Sequence, residues 1–168
     1  MPIENAGKSR EELLARIAEL EKHKRTEAAL LKVNRALKVL SECNQTLIRA
    51  TNESTWLHDL CHIIVEMGEY RFALVGFFDQ GKKTVKFVAQ AGQDEKHLSR
   101  LKIDWTEADP TWGPVAKAVR TGKPYVAKNV LSDPEYARWR TLATQCGYAS
   151  MLALPLTDGD RSLGVLNL

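Results

Sequence analysis

Two histidines four residues apart are the first candidate for chemistry in this chain. His58 and His62 lie in a segment with helical periodicity, and this spacing is typical of zinc-binding helices. Asp59 follows the first histidine as a glutamate does in zinc proteases, but its side chain is shorter, and no further ligand cluster stands downstream. Both histidines fall beside the apolar stripe of the helix, so we expect partly solvated side chains and no metal site.

Three cysteines could also carry chemistry, namely Cys43, Cys61 and Cys146. Their odd number, wide spacing and lack of a Cys-x-x-Cys pair argue against a disulfide framework or a zinc ribbon. A cysteine nucleophile needs a positioned histidine base, and neither Cys61 nor Cys146 stands in such a motif. The sequence also lacks a Gly-rich phosphate loop, a nucleophile elbow and a paired-carboxylate pattern. We therefore expect buried, reduced thiols and no catalytic residues.

Aromatic side chains are concentrated between residues 105 and 148, together with a few polar groups. Apolar rings with convergent polar tips are typical of small-molecule cavities. The alternative, in which the rings only fill a core, stays open. The candidate ligand-binding residues are Trp105, Trp112, Tyr125, Asp133, Arg138, Trp139 and Tyr148.

These candidates follow a segment, residues 9 to 50, that contains no Pro or Gly and predicts one long helix. Two heptad seams lie along it, and their register slips by one residue across positions 21 to 27. Such a narrow stripe needs a partner helix, most simply its own copy in a homodimer; the alternative is that it packs on the chain's own domain. The seams are Leu13, Ile17 and Leu20, then Leu30, Val33, Leu37, Leu40, Asn44 and Leu47.

The remaining elements follow from changes of period and from turn residues. The predicted order is α-α-β-β-α-β-α-β-β, an α+β pattern with a mostly antiparallel sheet. Residues 93 to 113 are predicted to form a short helix and a loop. The predicted helices span 52–68, 114–121 and 133–145, and the predicted strands span 72–79, 84–90, 124–130, 149–157 and 162–168.

Composition excludes several classes of protein. The chain has 168 residues, of which 44% are hydrophobic and 27% charged, as in ordinary globular proteins. The net charge of +3 resides in residues 1 to 40, so the remainder is neutral and has no basic stripe for nucleic acid. No apolar run approaches the length of a membrane span, and no signal peptide begins the chain. We expect a cytoplasmic location with no membrane insertion.

A family resemblance covers about residues 35 to 168. The runs CHIIVEMGEYRFALVGFFD, GPVAKAVRTGKPYVAKNVLSDPEYARWR, GYASMLALPL and SLGVLNL resemble the GAF domain. They are most similar to GAF sensor modules of bacterial histidine kinases, diguanylate cyclases and phosphodiesterases. The resemblance implies a GAF-like, PAS-related antiparallel sheet of five to six strands flanked by helices, with a ligand cavity beneath residues 105 to 148. Residues 1–34 look like a coiled-coil linker helix, and the end of the chain inside an apolar strand suggests a C-terminally truncated domain.

The resemblance implies a non-catalytic sensory module of a signal-transduction protein such as a two-component system. It would bind a small ligand and relay through a dimeric N-terminal helix to covalently linked kinase or cyclic-di-GMP domains. No covalent bilin is expected, because Cys146 lacks a following His, and no cofactor is otherwise implied. Sulfoxide reductase chemistry is disfavoured because the loop at 112–114 has no cysteine. The alternatives are a ligand-free dimerisation spacer and a thiol-based redox enzyme.

Overall fold

The computed structural model describes residues 9–79, 81, 84–92, 103–104, 113–159 and 161–168. Its centre is a six-stranded antiparallel sheet with the strand order β3-β2-β1-β6-β5-β4. This architecture confirms the predicted α+β fold. The strands are β1 (Phe72–Asp79), β2 (Thr84–Gly92), β3 (Ile103–Asp104), β4 (Tyr125–Ala127), β5 (Met151–Asp158) and β6 (Arg161–Asn167).

The helices lie on opposite faces of this sheet. Helices α1 (Arg10–Arg49) and α2 (Glu53–Gly68) belong to one face, where α2 packs on β1 and β2. Helix α3 (Pro114–Thr121) packs on β5 and β6 from the other side, and a 3₁₀ helix (Pro134–Trp139) leads into α4 (Arg140–Cys146).

Three details of the predicted elements are corrected. The strand predicted over 124–130 is limited to Tyr125–Ala127, because the chain turns where the Asn129 carbonyl accepts from the N–H groups of Ser132 and Asp133. The helix predicted over 133–145 begins as a 3₁₀ turn, because Asp133 caps the backbone N–H of Glu135 two residues later and Pro134 occupies the first position. Within the predicted helix and loop of residues 93–113, Ile103–Asp104 forms strand β3 against Thr84 and Val85. The rest of that stretch up to residue 112 lies outside the described residues.

The side chains of β1 point alternately to the two faces of the sheet. Ala73 and Val75 are buried against α2, whereas Phe72 and Leu74 point to the side of α3 and α4. A bulge between Val75 and Gly76 shifts the register against β2. One strand therefore contributes side chains to both cores.

Helix α1 begins at a capping box formed by Ser9 and Glu12. It continues without a break through residues 21–27, where the heptad register slips, and past residue 34, the end of the predicted linker. It touches the domain through half-buried residues including Val39, and the Arg35 guanidinium lies 2.7 Å from the Glu69 carboxylate. Among the described residues no helix is apolar over enough length to cross a bilayer.

The side chains of the second heptad seam are not covered by the domain, although Leu37 lines an open groove with Met67 and Glu69. Leu30, Leu37 and Leu40 are 60%, 57% and 59% exposed. The alternative in which this seam packs on the chain's own domain is therefore wrong. The domain is contacted instead by an adjacent stripe of α1 that contains Val39, Cys43 and Thr46.

Candidate functional site

A cavity of about 40 Å³ lies between the sheet and the helices of the α3–α4 face. Its described walls come from β1, β5, β6, α3, the 3₁₀ helix and α4. They are almost entirely apolar, with ring hydroxyls, an indole and one amide as the polar groups. The lining residues are Phe72, Leu74, Gly113, Pro114, Val115, Tyr136, Trp139, Leu142, Tyr148, Met151 and Asn167.

The 3₁₀ helix places two of the rings. Residues three apart in a 3₁₀ helix lie above one another, so Tyr136 and Trp139 both reach the cavity. The indole of Trp139 lies closely over Gly113, where an added Cβ would be 2.5 Å from Nε1. Glycine at this position therefore allows the indole to close one side of the cavity.

Tyr148 enters from the end of α4. Gly147 takes a left-handed conformation with φ of 68°, which ends the helix and turns the chain back, and the Tyr148 N–H donates to the Ala143 carbonyl over 3.1 Å. The Tyr148 ring lies 5.2 Å from that of Phe72, centroid to centroid, and meets that of Tyr136 edge-on at 6.4 Å. The ring is thus fixed from both sides.

The two tyrosine hydroxyls form a hydrogen bond in which Tyr136 donates to Tyr148 over 3.3 Å. Burial raises the pKa of both phenols, and their mutual interaction raises that of Tyr136 further. Both are therefore neutral hydroxyls at any physiological pH. The O–H group of Tyr148 is not the donor in this bond and can therefore donate to another acceptor.

Asn167 is the one polar residue among the buried side chains of the described chain, with 4% exposure. It follows Val165 on the same face of β6, so its side chain belongs to the cavity side of the sheet. Its Oδ1 is buried and has no hydrogen-bond partner among the described residues. A buried acceptor without a partner is unfavourable, and such atoms commonly mark a site that a water or ligand completes.

Two of the predicted ligand-binding residues, Trp139 and Tyr148, line this cavity. Tyr125 and Asp133 do not line it; they pair with each other, and the phenol donates to the carboxylate oxygens at 2.9 and 3.0 Å. Arg138 is exposed on the 3₁₀ helix and is not part of the lining. Trp105 and Trp112 lie outside the described residues.

The Tyr125–Asp133 pair belongs to a small surface network. Burial, followed by the hydrogen bond to Asp133, raises the pKa of Tyr125 to about 12. The Lys117 ammonium lies 5.2 Å from the centroid of the Tyr125 ring and 3.0 Å from the Glu135 carboxylate. These groups fix the loop that precedes the 3₁₀ helix, and so they support the cavity wall from outside.

Sequence reasoning missed most of the cavity wall. Tyr136 could have been found from its spacing of three before Trp139, and Asn167 from its position two after Val165 in an apolar strand. Phe72, Leu74 and Met151 gave no signal beyond that of ordinary core residues. Their role depends on the packing of α3 and α4 over the sheet, which local sequence patterns do not specify.

None of the histidines or cysteines among the described residues lines the cavity. His58 and His62 are exposed on α2, and the described residues contain no group of three or more His, Cys, Asp or Glu placed to hold a metal. Cys61 is fully buried on the sheet-facing side of α2, where desolvation raises the pKa of its thiol to about 12. Cys43 is partly buried and Cys146 buried.

Comparison with known proteins identifies the fold. The family model of the GAF domain matches residues 50–168. No curated protein matches the sequence significantly.

Solved structures with the same fold include three from bacteria. The GAF domain of A. aeolicus nlh2, in an inactive state, is 15% identical over 81% of this chain and 79% of that chain, with a TM-score of 0.66. The GAF domain of a phosphoenolpyruvate-protein phosphotransferase from Coxiella burnetii is 18% identical over 81% and 77%, with a TM-score of 0.65. The free methionine-R-sulfoxide reductase of Neisseria meningitidis, in complex with its substrate, is 18% identical over 80% and 73%, with a TM-score of 0.64. At these identities the likeness concerns the fold alone.

Proposed function

Because this chain belongs to the GAF domain family, we propose that it is a non-catalytic sensory module that binds a small ligand and relays its presence through a dimeric helix α1. GAF domains are generally regulatory modules. The observation that carries the proposal is the cavity at the α3–α4 face with the unpartnered Asn167 amide oxygen in its wall. We further propose that the module acts in the bacterial cytoplasm, joined to a signalling output domain.

The sheet offers a direct path between the cavity and α1. Leu74 lines the cavity, while its neighbour Val75 packs in the cluster beneath α2, and Val39 of α1 packs against that same cluster. A ligand that favours one position of β1 would therefore favour one packing of α2 and α1. Such a shift requires different affinities of the ligand for the two packings.

The exposed heptad seam supports the dimeric part of the proposal. Leu30, Val33, Leu37, Leu40 and Leu47 are each more than half exposed, although α1 is attached to the domain by its neighbouring stripe. A parallel second copy of α1 would cover this seam with knobs-into-holes packing. In this arrangement the domain-facing and partner-facing stripes lie on one helix, so a rotation of α1 is communicated to the partner.

Ligand binding is tested by native mass spectrometry and thermal unfolding of the protein purified from its own host. We expect a retained small molecule, and a melting temperature that rises with its concentration as mass action requires. In Val115→Phe the larger ring occupies the cavity, so the molecule and the stabilisation should both be lost. Val126→Phe, at an exposed position on β4, is the matched control. A protein that carries no ligand and is indifferent to Val115→Phe would instead be a dimerisation spacer.

Dimerisation is tested by sedimentation with one substitution at two sites. Leu37→Lys places a charge in the seam and should convert a dimer to a monomer. Leu31→Lys changes an equally exposed leucine one position beyond the seam residue Leu30 and should leave the dimer intact. A wild-type monomer, or equal effects of the two variants, would contradict the proposed relay.

A further inference from the structure

The charge of the cavity wall restricts the chemistry of what it can bind. No charged side chain lines it among the described residues. Of the charged groups on the surrounding elements, Asp133 accepts from Tyr125, Lys117 pairs with Glu135, and the Arg140 guanidinium donates to the Asp133 carbonyl. The Arg140 Nε is buried without a partner among the described residues, but Arg140 is not part of the cavity lining. An ion entering this apolar space would lose its hydration without gaining a counter-charge. The occupant that the walls favour is therefore uncharged.

The polar atoms of the wall restrict the occupant further. The Asn167 Oδ1 needs a donor, either an N–H or an O–H. The Tyr148 oxygen accepts a hydrogen bond from the Tyr136 hydroxyl, so the Tyr148 hydroxyl can donate its own hydrogen bond to another acceptor. A primary amide, which has both a donor and an acceptor on a small neutral group, satisfies both requirements at once.

The volume sets the size of the group. A cavity of about 40 Å³ accommodates about three water-sized groups, since one water needs roughly 10–15 Å³ by the same measure. This suits a molecule of a few non-hydrogen atoms, or the uncharged end of a larger one. The apolar part of such a group would contact Leu74 and Met151, which line the cavity.

We propose that this cavity is a binding site for a small uncharged ligand of the amide or alcohol class that donates one hydrogen bond to the Asn167 Oδ1. The inference rests on the proposed ligand-binding function and specifies its chemistry. In this proposal Asn167 is the residue that favours ligands with a hydrogen-bond donor over ligands of the same shape that have none.

Three probes of nearly identical shape test this selection: acetamide, acetone and acetate. Each is titrated at neutral pH into protein carrying ¹³C-methyl methionine, and the Met151 methyl in the cavity wall reports occupancy while the exposed Met67 serves as the internal control. We expect acetamide to bind about fivefold more tightly than acetone, as one hydrogen bond allows. Acetate should leave the Met151 resonance unchanged.

Two variants assign the selection to Asn167. Asn167→Leu removes the acceptor at nearly constant size, so acetamide and acetone should bind equally. Val126→Phe changes an exposed residue of β4 outside the cavity lining and should retain the fivefold preference.

The inference is overturned if acetamide and acetone bind the native protein alike, if acetate binds best, or if the preference survives in Asn167→Leu. It is also overturned if no probe shifts Met151. A ligand still retained from the host in native mass spectrometry would then leave the proposed function standing with a different chemistry, whereas its absence would remove both.

Discussion

The two faces of the sheet are packed in different ways. On the α2 face, small strand residues such as Ala73, Ala89 and Ala91 let Leu57 and Ile64 of the helix approach closely. On the α3–α4 face, tyrosine and tryptophan rings span a wider gap and leave a cavity lined by Asn167. Close packing stabilises one arrangement, whereas rings around a void leave room for a guest. The α2 face is therefore the one to which α1 is attached, and the ligand site that we propose lies on the opposite face.

A valine-to-isoleucine substitution should change the free energy of unfolding very differently on the two faces, and this is the largest effect that we expect. Val75→Ile adds a methyl group to a fully buried position beneath α2 and should lower the free energy of unfolding by about 2 kcal/mol through overpacking. Val115→Ile adds the same group to the cavity wall, where space exists, and should change it by less than about 0.5 kcal/mol. Urea denaturation of both variants measures the difference. Equal destabilisation would show that the α3–α4 face is as closely filled as the other.

Much of this arrangement is encoded locally. The lack of Pro and Gly over residues 9–50 predicts α1. An apolar run before Gly81 and an alternating one after it predict the β1–β2 hairpin, which the structure confirms. Asn52 caps the start of α2, where its Oδ1 accepts from the N–H groups of Ser54 and Thr55. Signals of this kind involve residues close in sequence, so a single chain displays them.

The site was less predictable because it depends on contacts distant in sequence. Trp139 and Tyr148 were selected as aromatic residues and line the cavity, whereas the equally plausible Tyr125 is engaged by Asp133. Asn167 lies next to Leu74 and Ala153 through strand pairing. Its side of the strand follows from the local alternation, but the lack of a hydrogen-bond partner for its Oδ1 among the described residues is a property of the assembled sheet.

A substitution at Gly113 should affect the cavity face alone. Gly113→Ala introduces a Cβ 2.5 Å from the Trp139 Nε1, so the indole must move, and we expect a loss of about 1 kcal/mol of stability. The backbone at Gly113 has φ of −62°, so conformational strain does not contribute. The indole N–H resonance of Trp139, assigned with Trp139→Phe, should shift strongly.

Gly122→Ala is the matched control for this prediction. Gly122 has φ of 62° and open space where its Cβ would stand, so alanine there introduces backbone strain without a steric contact. It should lower stability by a similar amount and leave the Trp139 resonance in place. A shift of that resonance in Gly122→Ala, or none in Gly113→Ala, would contradict the close fit of the indole over Gly113.

The smallest expected effect concerns the support of the cavity wall by Tyr125. Its pKa is raised to about 12 in the folded protein, first by burial and then by the hydrogen bond to Asp133, against an ordinary value of 10. Because the folded state holds this proton more tightly, the contribution of Tyr125 is complete below pH 10 and is lost as the pH rises from 10 to 12. The stability difference between the wild type and Tyr125→Phe should therefore decrease over that interval.

The Asp133→Asn substitution separates the effect of burial on the Tyr125 pKa from the effect of Asp133. It removes the negative charge beside the phenol but retains most of the burial, so the pKa of Tyr125 should fall towards 10 without reaching it. This pKa is measured by titrating the phenolate absorbance with pH. The curve of the Tyr125→Phe variant is subtracted, both in the wild type and in Asp133→Asn, so that only the Tyr125 signal remains. Since Tyr125 lies outside the cavity lining, neither substitution should alter occupancy of the cavity at neutral pH, whereas Asn167→Leu should. An unchanged Tyr125 pKa in Asp133→Asn would mean that burial and the Glu135 charge hold the proton without Asp133. The 3₁₀ helix would then depend on the Asp133 cap to Glu135 without help from the phenol.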